Sequence, residues 1–293
     1  MERLNQAGYT VRDACQALGF SRSGYYSSRG PRRTPGTTPD LRDVALLEKI
    51  SALKAQHPFW GYRRVRAWLL YREKVLVNEK RVRRIMKEHD LMVPRTIHKA
   101  ARTPGRSKPR ANKPRQFWGI DATKFMVNGL GWVYLVIVLD WYTKKAVGWN
   151  LSVRNRTKEW KHALDMAVNR EFWDGVRGKG LKLVSDNGSQ PTSTSFISDM
   201  STLEIEQIFT SYNNPKGNAD TERMMRTVKE EVLWLSEFES FEEAKEKIDA
   251  WLACDYNKLY VHSALGYRSP EEFEALYERQ ELSVPPVGYK EAI

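Results

Sequence analysis

The chain has 293 residues, 41% of them hydrophobic, and a formal net charge of +12. That length and composition support a sizeable core and about two domains. No apolar run approaches the ~20 residues of a membrane helix, and the longest, Trp132 to Leu139, is strand-sized. The opening residues Met1-Glu2-Arg3-Leu4-Asn5-Gln6 lack the apolar region of a signal peptide. Cys15 and Cys254 lie far apart and read as reduced core residues, which argues against a disulfide framework and for a cytosolic setting.

Charge is unevenly placed. Residues 1–115 hold 27 Lys and Arg against 9 Asp and Glu, whereas residues 116–293 hold 21 against 27. A basic front half joined to a mildly acidic back half implies a polyanion-binding region attached to a different device.

Residues 1–29 read as a helix-turn-helix segment. Val11, Ala14, Cys15 and Leu18 have helical spacing, Gly19 ends the helix, and Ser21 can cap a second one through Tyr25 and Tyr26. Residues 30–39 are a linker rich in Arg, Pro, Gly and Thr. Residues 40–92 form a second helical, helix-turn-helix-like unit. Its first helix shows an apolar stripe of Leu41, Val44, Leu47, Ile50 and Leu53, broken at His57-Pro58-Phe59-Trp60-Gly61. Val65, Trp68 and Leu69 mark the next helix, which bears Arg63 and Arg64. Asn78 caps a third, with Val82, Ile85 and Met86 inward and Lys80, Arg81, Arg83, Arg84 and Lys87 outward. A short helix with an apolar seam and a basic outer face suits a DNA groove. Residues 93–116 contain no acid and four prolines, so they form an extended basic linker in which Arg95, Lys99 and Arg102 can track phosphates.

Residues 117–275 read as an α/β domain, followed by a tail at 276–293. Three strands at Phe117–Val127, Gly131–Asp140 and Lys145–Ser152 come first. A helix from Thr157 to Phe172, a strand at Leu181–Ser185, a short helix and a strand at Glu204–Phe209 follow. Long helices at Ala219–Trp234 and Phe241–Tyr256 complete the unit. This order gives a mixed five-stranded sheet with flanking helices.

The chemistry rests on Asp121 in the first strand, Asp186 at the end of the fourth, and Glu222 in the helix beyond the fifth. Two strand-end aspartates and a helix glutamate can converge on a pair of hard divalent ions, an arrangement that serves phosphodiester chemistry. Two Mg²⁺ ions are the expected cofactor, with Mn²⁺ as substitute. Thr123 shares the strand face of Asp121. Asn187 and Gln190 lie in the turn after Asp186, and Lys229 sits two helical turns beyond Glu222. Asp140 also ends a strand but has no third carboxylate near it, so it reads as structural. No Cys/His zinc spacing and no Gly-rich nucleotide loop occurs.

Trp118-Gly119-Ile120-Asp121-Ala122-Thr123, Val184-Ser185-Asp186-Asn187-Gly188-Ser189-Gln190 and Asn218-Ala219-Asp220-Thr221-Glu222 followed by Lys229 resemble the DDE motif of insertion-sequence transposases with a retroviral-integrase-like core. The 35 residues between Asp186 and Glu222 match that family's spacing. His57 to Val65 with Val77 to Val82 resembles the domain that precedes this core, and Tyr256-Asn257 with His262 to Pro270 resembles the segment that closes it. One departure is Asn187, where many relatives carry Arg or Glu.

The resemblance implies an α/β, RNase H-like core preceded by small all-α DNA-binding domains. It implies a transposase that binds its element's terminal inverted repeats, cleaves DNA with divalent metal, and joins the exposed 3′-OH to target DNA. It further implies a second-frame (OrfB-type) product of a frameshifting, copy-out–paste-in element. The partners it implies are terminal and target DNA, a second or further copy of the chain, and an upstream-frame product of the same element. The competing readings are an RNase H-like nuclease without joining activity and a DNA-binding regulator of the full-length transposase.

Overall fold

The computed structural model describes residues 8, 10–22, 25, 41–94, 110–210 and 218–280. The chain divides into two units, residues 1–49 and 50–293. In the first, helix α1 (Val11–Ala17) begins at Thr10, whose side chain accepts the Asp13 N–H, and ends before Gly19 at φ +68°. Most of the second helix expected after Ser21, and the 30–39 linker, lie outside the described residues.

Helix α2 (Leu41–Gln56) has its buried stripe at Leu46, Ile50 and Leu53, while Val44 is exposed. The apolar pair Leu46-Leu47 permits two phasings of the stripe, and packing selects the one through Leu46. Helices α3 (Tyr62–Tyr71) and α4 (Glu79–Glu88) follow. Asn78 caps α4 by accepting the Lys80 N–H at 2.8 Å, and Val82, Ile85 and Met86 are buried beneath its basic face.

Strands β1 (Phe117–Val127), β2 (Gly131–Asp140) and β3 (Ala146–Ser152) form an antiparallel meander. β4 (Lys182–Ser185) pairs parallel with β1, and β5 (Glu206–Phe209) with β4, giving the order β3-β2-β1-β4-β5. This is the mixed five-stranded sheet that the order of elements implied, with the RNase H-like architecture that the resemblance implied. β5 starts two residues later than expected, after Glu204 takes a left-handed turn at φ +55°.

One sheet face carries Trp118, Ile120, Val136, Val138 and Leu183. It packs against Trp160, Ala163, Leu164 and Ala167 of α5 (Thr157–Glu171) and against Phe196 of α6 (Thr194–Thr202). Gly148 permits close contact here, since a Cβ would lie 2.3 Å from the Ala163 carbonyl. Because strand side chains alternate, Gly119, Asp121 and Thr123 point to the opposite face.

The two long C-terminal helices are not uniform. α7 (Ala219–Val228) passes into a π-helical turn at Lys229–Leu233, and α8 (Phe241–Ala250) into another at Trp251–Leu259. The sequence reads each as one uninterrupted helix. Apolar spacing over five to nine residues does not separate i→i+4 from i→i+5 winding. The exposed Cys254 falls on the second π segment and is not the core residue that the sequence suggests. Helix α9 (Pro270–Glu278) starts with a reciprocal capping box between Ser269 and Glu272.

Three contacts seat the helical region on the core within the 50–293 unit. The Glu231 carboxylate, inside the first π turn, accepts from His57 Nδ1 at 2.7 Å and Trp60 Nε1 at 2.8 Å. The Arg64 guanidinium lies over the Tyr260 ring at 4.9 Å. Arg72 pairs with Glu272 at 2.9 Å and donates to the Leu259 carbonyl at 3.2 Å.

The closing segment Tyr256–Pro270 acts as a clasp. Asn257 accepts the Ala146 N–H at 2.9 Å and donates to the Ala146 carbonyl at 3.0 Å, as a neighbouring strand would. Tyr256 Oη donates to the Lys144 carbonyl at 2.9 Å. Asn257→Ala leaves two buried backbone groups unpaired and is expected to cost about 2–4 kcal/mol. Urea unfolding measures this, and a loss below ~0.5 kcal/mol would show that the clasp is dispensable.

Candidate active site

β1 and β4 place the two aspartates side by side. Their parallel register pairs Gly119 with Val184, an offset of 65 residues, and the same offset two residues on relates Asp121 to Asp186. β4 ends at Ser185, so Asp186 leaves the sheet where the chain turns. Its Oδ1 accepts the Gly188 N–H at 3.0 Å, which fixes the carboxylate in an Asx turn. A Cβ at Gly188 would come within 2.9 Å of that same oxygen, so glycine keeps the turn tight.

Gly119 brings the third acid in. A Cβ there would lie 1.9 Å from Thr221 Oγ1 and 2.5 Å from Trp141 Nε1. Thr221 is fully buried and accepts the Trp141 indole N–H at 3.1 Å. The first turn of α7 is therefore pressed onto β1 above Gly119, two residues from Asp121 on the same strand face. Glu222 follows Thr221 and emerges exposed beside the aspartates.

The electrostatics register this convergence. The Asp121 carboxyl is pushed up from 3.8 to about 6, chiefly by burial and further by the charges of Asp186 and Glu222. Its own Ala122 N–H, at 2.8 Å, and the Lys229 ammonium act in the opposite direction. Among the described residues neither Asp186 nor Glu222 forms an ion pair. Asp140 is different: it is buried and accepts from the Arg115, Tyr142 and Thr143 N–H groups and from Trp118 Nε1. It holds the β2–β3 turn, as its sequence context indicated.

The other residues singled out from sequence are dispersed. Thr123 is buried on the Asp121 face. Asn187 is exposed and donates to the Thr210 carbonyl at 2.6 Å, and Gln190 donates to the Asn155 carbonyl at 3.0 Å. Lys80 and Arg63 are exposed, Arg63 beside Glu79 at 3.4 Å. Arg81 is half-buried, and Arg84 pairs with Glu88 at 2.9 Å. Arg64 is engaged by Tyr260. Arg95, Lys99 and Arg102 lie outside the described residues. Gly119, Thr221 and Glu231 had not been singled out. The glycine preceding Asp121 by two was the available signal for a close approach on that face.

Residues 111–215 match a family model described as an integrase core domain, residues 203–270 match a second model of that description, and residues 41–99 match an HTH-like domain. The chain is transposase-like, with an integrase core behind an HTH-like domain. It is 29% identical over 254 residues to the transposase for insertion sequence element IS904 of Lactococcus lactis subsp. lactis (strain IL1403), spanning 83% of this chain and 98% of the relative. It is 28% identical over 164 residues to transposase InsF for insertion sequence IS3A of Escherichia coli (strain K12), spanning 56% of this chain and 55% of that one. A chain of the simian T-cell lymphotropic virus intasome superposes with a TM-score of 0.48 at 16% identity, covering 77% of this chain and 74% of that chain. The two integrase-core matches in this transposase-like chain include Asp121, Asp186, Glu222 and Lys229.

Two measurements probe this geometry. Gly119→Val should lift the first turn of α7 from β1 and lower any metal-dependent DNA cleavage by at least ~100-fold, since displacements near 1 Å have that effect. Full cleavage by this variant would show that the close approach is not required. Asp121→Asn should raise the melting temperature of the metal-free protein. A carboxyl raised from 3.8 to about 6 costs the fold stability as pH rises through that interval. The two proteins should melt alike below pH 4 and diverge by up to roughly 3 kcal/mol above pH 6. Equal stability at pH 8 would remove the charge cluster from the account.

Proposed function

We propose that this chain is a DDE-type transposase that binds the terminal inverted repeats of its insertion sequence, cleaves DNA at the element end, and joins the exposed 3′-OH to target DNA. The observation supporting this reading is the clustering of Asp121, Asp186 and Glu222 on one side of a sheet whose parallel β1–β4 pair aligns the two aspartates.

The donor set fits hard divalent cations. All three side chains offer oxygen, the ligand type Mg²⁺ takes. Their mutual repulsion, visible at Asp121, is what bound cations relieve. Among the described residues no three such side chains close on a single ion. A pair of ions that share Asp121 needs only two of the acids at each. Asp121 and Asp186 would hold one ion, Asp121 and Glu222 the other. Two Mg²⁺ ions, or Mn²⁺ in their place, would activate the attacking oxygen and stabilise the leaving 3′-oxygen.

The chain's own groups do the rest. The Asx turn at Asp186 and the press of Thr221 on Gly119 hold the acids in place before DNA arrives. Lys229 brings a positive charge to the same place, where a phosphate would carry its negative oxygens. Asn187 and Gln190 border the acids and would steady an incoming strand, with Thr123 supporting the strand face beneath. The basic face of α4 and Arg63, with Arg95, Lys99 and Arg102 beyond, would bind the duplex through its phosphates. Engagement of two element ends implies at least two copies of the chain. We further propose that an upstream-frame product of the same element works with this one and that the element moves by copy-out–paste-in.

End-labelled DNA bearing the element's own terminus, incubated with protein and Mg²⁺ and resolved on a denaturing gel, tests the function. A nick at the 3′ end together with a longer joined product is expected, and Asp121→Asn should abolish both while leaving DNA affinity within about twofold. Cleavage without joining would favour a nuclease, and binding without either product a regulator.

A further inference from the structure

A second polar cavity lies behind the catalytic helix, lined by Arg64, Lys144, Asp220, Arg223, Tyr260 and His262, with a volume of about 290 Å³. It gathers three cations from three parts of the fold: Arg64 from α3, Lys144 from the β2–β3 turn and Arg223 from α7. Lys144 is neutralised by Asp220 at 3.1 Å. The other two are not. Arg64 lies with its guanidinium over Tyr260 at 4.9 Å and Trp60 at 5.7 Å, a stacking mode that occupies the guanidinium face and leaves its in-plane donors available. The Arg223 side chain has no ion pair or hydrogen bond among the described residues.

His262 adds a directed donor. Its Nε2 is shielded from solvent and has no hydrogen-bond partner. Its backbone is pinned, the N–H to the Arg268 carbonyl at 3.1 Å and the carbonyl to the Tyr267 N–H at 2.7 Å. Its ring stands edge-on to Tyr256 and Tyr260, with centroids 5.1 and 4.9 Å away. Burial, then Arg64, Lys144 and Arg223, hold its pKa well below the ordinary range, so the ring is neutral and sits in positive potential. A buried polar atom without a partner is rare and costly. Two guanidinium groups without carboxylate partners among the described residues act on it and give the cavity a potential that suits an anion. A cavity of this size has room for a phosphate group.

We propose that this cavity is a phosphate-group site, separate from the acid cluster, in which Arg64, Arg223 and the His262 Nε2–H bind the phosphate oxygens. The site joins the HTH-like region to the catalytic helix, because Arg64 belongs to the first and Arg223 directly follows Glu222. A phosphate held between them would fix the turn that carries the third acid. The phosphate could belong to a DNA backbone or be free in solution. Only the first source rests on the proposed function.

Inorganic phosphate is the probe, added to full-length protein in EDTA against chloride at matched ionic strength. EDTA removes any contribution from metal at the acids. Phosphate should raise the wild-type melting temperature, and Arg223→Gln and His262→Gln should each weaken apparent phosphate affinity at least tenfold. An unfolded His262→Gln leaves the solvent-side Arg223→Gln to decide. No phosphate-specific shift in wild type, or an undiminished shift in a folded Arg223→Gln, overturns the site. A DNA source predicts that saturating DNA abolishes the phosphate shift and that Arg223→Gln reduces the salt slope of DNA binding by about one. A free-phosphate source predicts that both are unchanged. Failure of wild type to bind or cut DNA would overturn the proposed function and leave the phosphate titration to judge the cavity.

Discussion

The contact between Gly119 and Thr221 is the constraint on which the site depends. A helix and a strand can approach this closely only where a side chain is missing, and the missing Cβ lies two residues before Asp121. Thr221 fills the space, anchored by the Trp141 indole. The next residue in the helix is Glu222, so its placement beside Asp121 follows from packing one residue away. The aspartates need no such device, because parallel pairing of β1 and β4 aligns them through the backbone alone. The arrangement concentrates negative charge, and the Asp121 carboxyl is pushed up chiefly by its burial and further by Asp186 and Glu222.

A second set of contacts, all within residues 50–293, seats the His57–Arg72 stretch on the core. Glu231 is central to it. Its side chain is almost fully buried, and it is satisfied by one imidazole and one indole from the His57–Trp60 turn. A buried carboxylate is tolerated only with such partners. Glu231 lies in the π turn that continues α7, so the helix bearing Glu222 also carries the anchor for the HTH-like region. π turns recur at functional sites because they re-aim side chains within an otherwise regular helix. The closing segment completes the assembly: Asn257 and Tyr256 fix the β2–β3 turn, while Tyr260 receives Arg64.

Much of this was legible in the sequence because it depends on local periodicity. The bounds of β1 and β2 follow from alternating apolar runs ended by Asn128-Gly129 and by Asp140. The Asn78 cap and the Val82–Ile85–Met86 seam are equally local. The acids were legible through strand ends, a turn and a fixed spacing. What local pattern left ambiguous was phasing. Leu46 and Leu47 both fit an apolar stripe, and only burial distinguishes them. Likewise, the passage from α to π winding at Lys229 leaves no mark in the apolar pattern.

By itself, the sequence determined most of the strand and helix content and the basic-to-acidic division of the chain, and it singled out three acids as candidates, since each follows from residue type and short-range spacing. Tertiary structure alone decided that Gly119 sets the depth of the helix bearing Glu222, that Arg64 turns toward Tyr260, and that Arg223 and His262 line one cavity. Those outcomes join residues from 39 (Arg223 and His262) to 196 (Arg64 and Tyr260) positions apart. Which of many equally polar or apolar side chains meets which is settled by how the layers pack, and short-range spacing does not encode that choice.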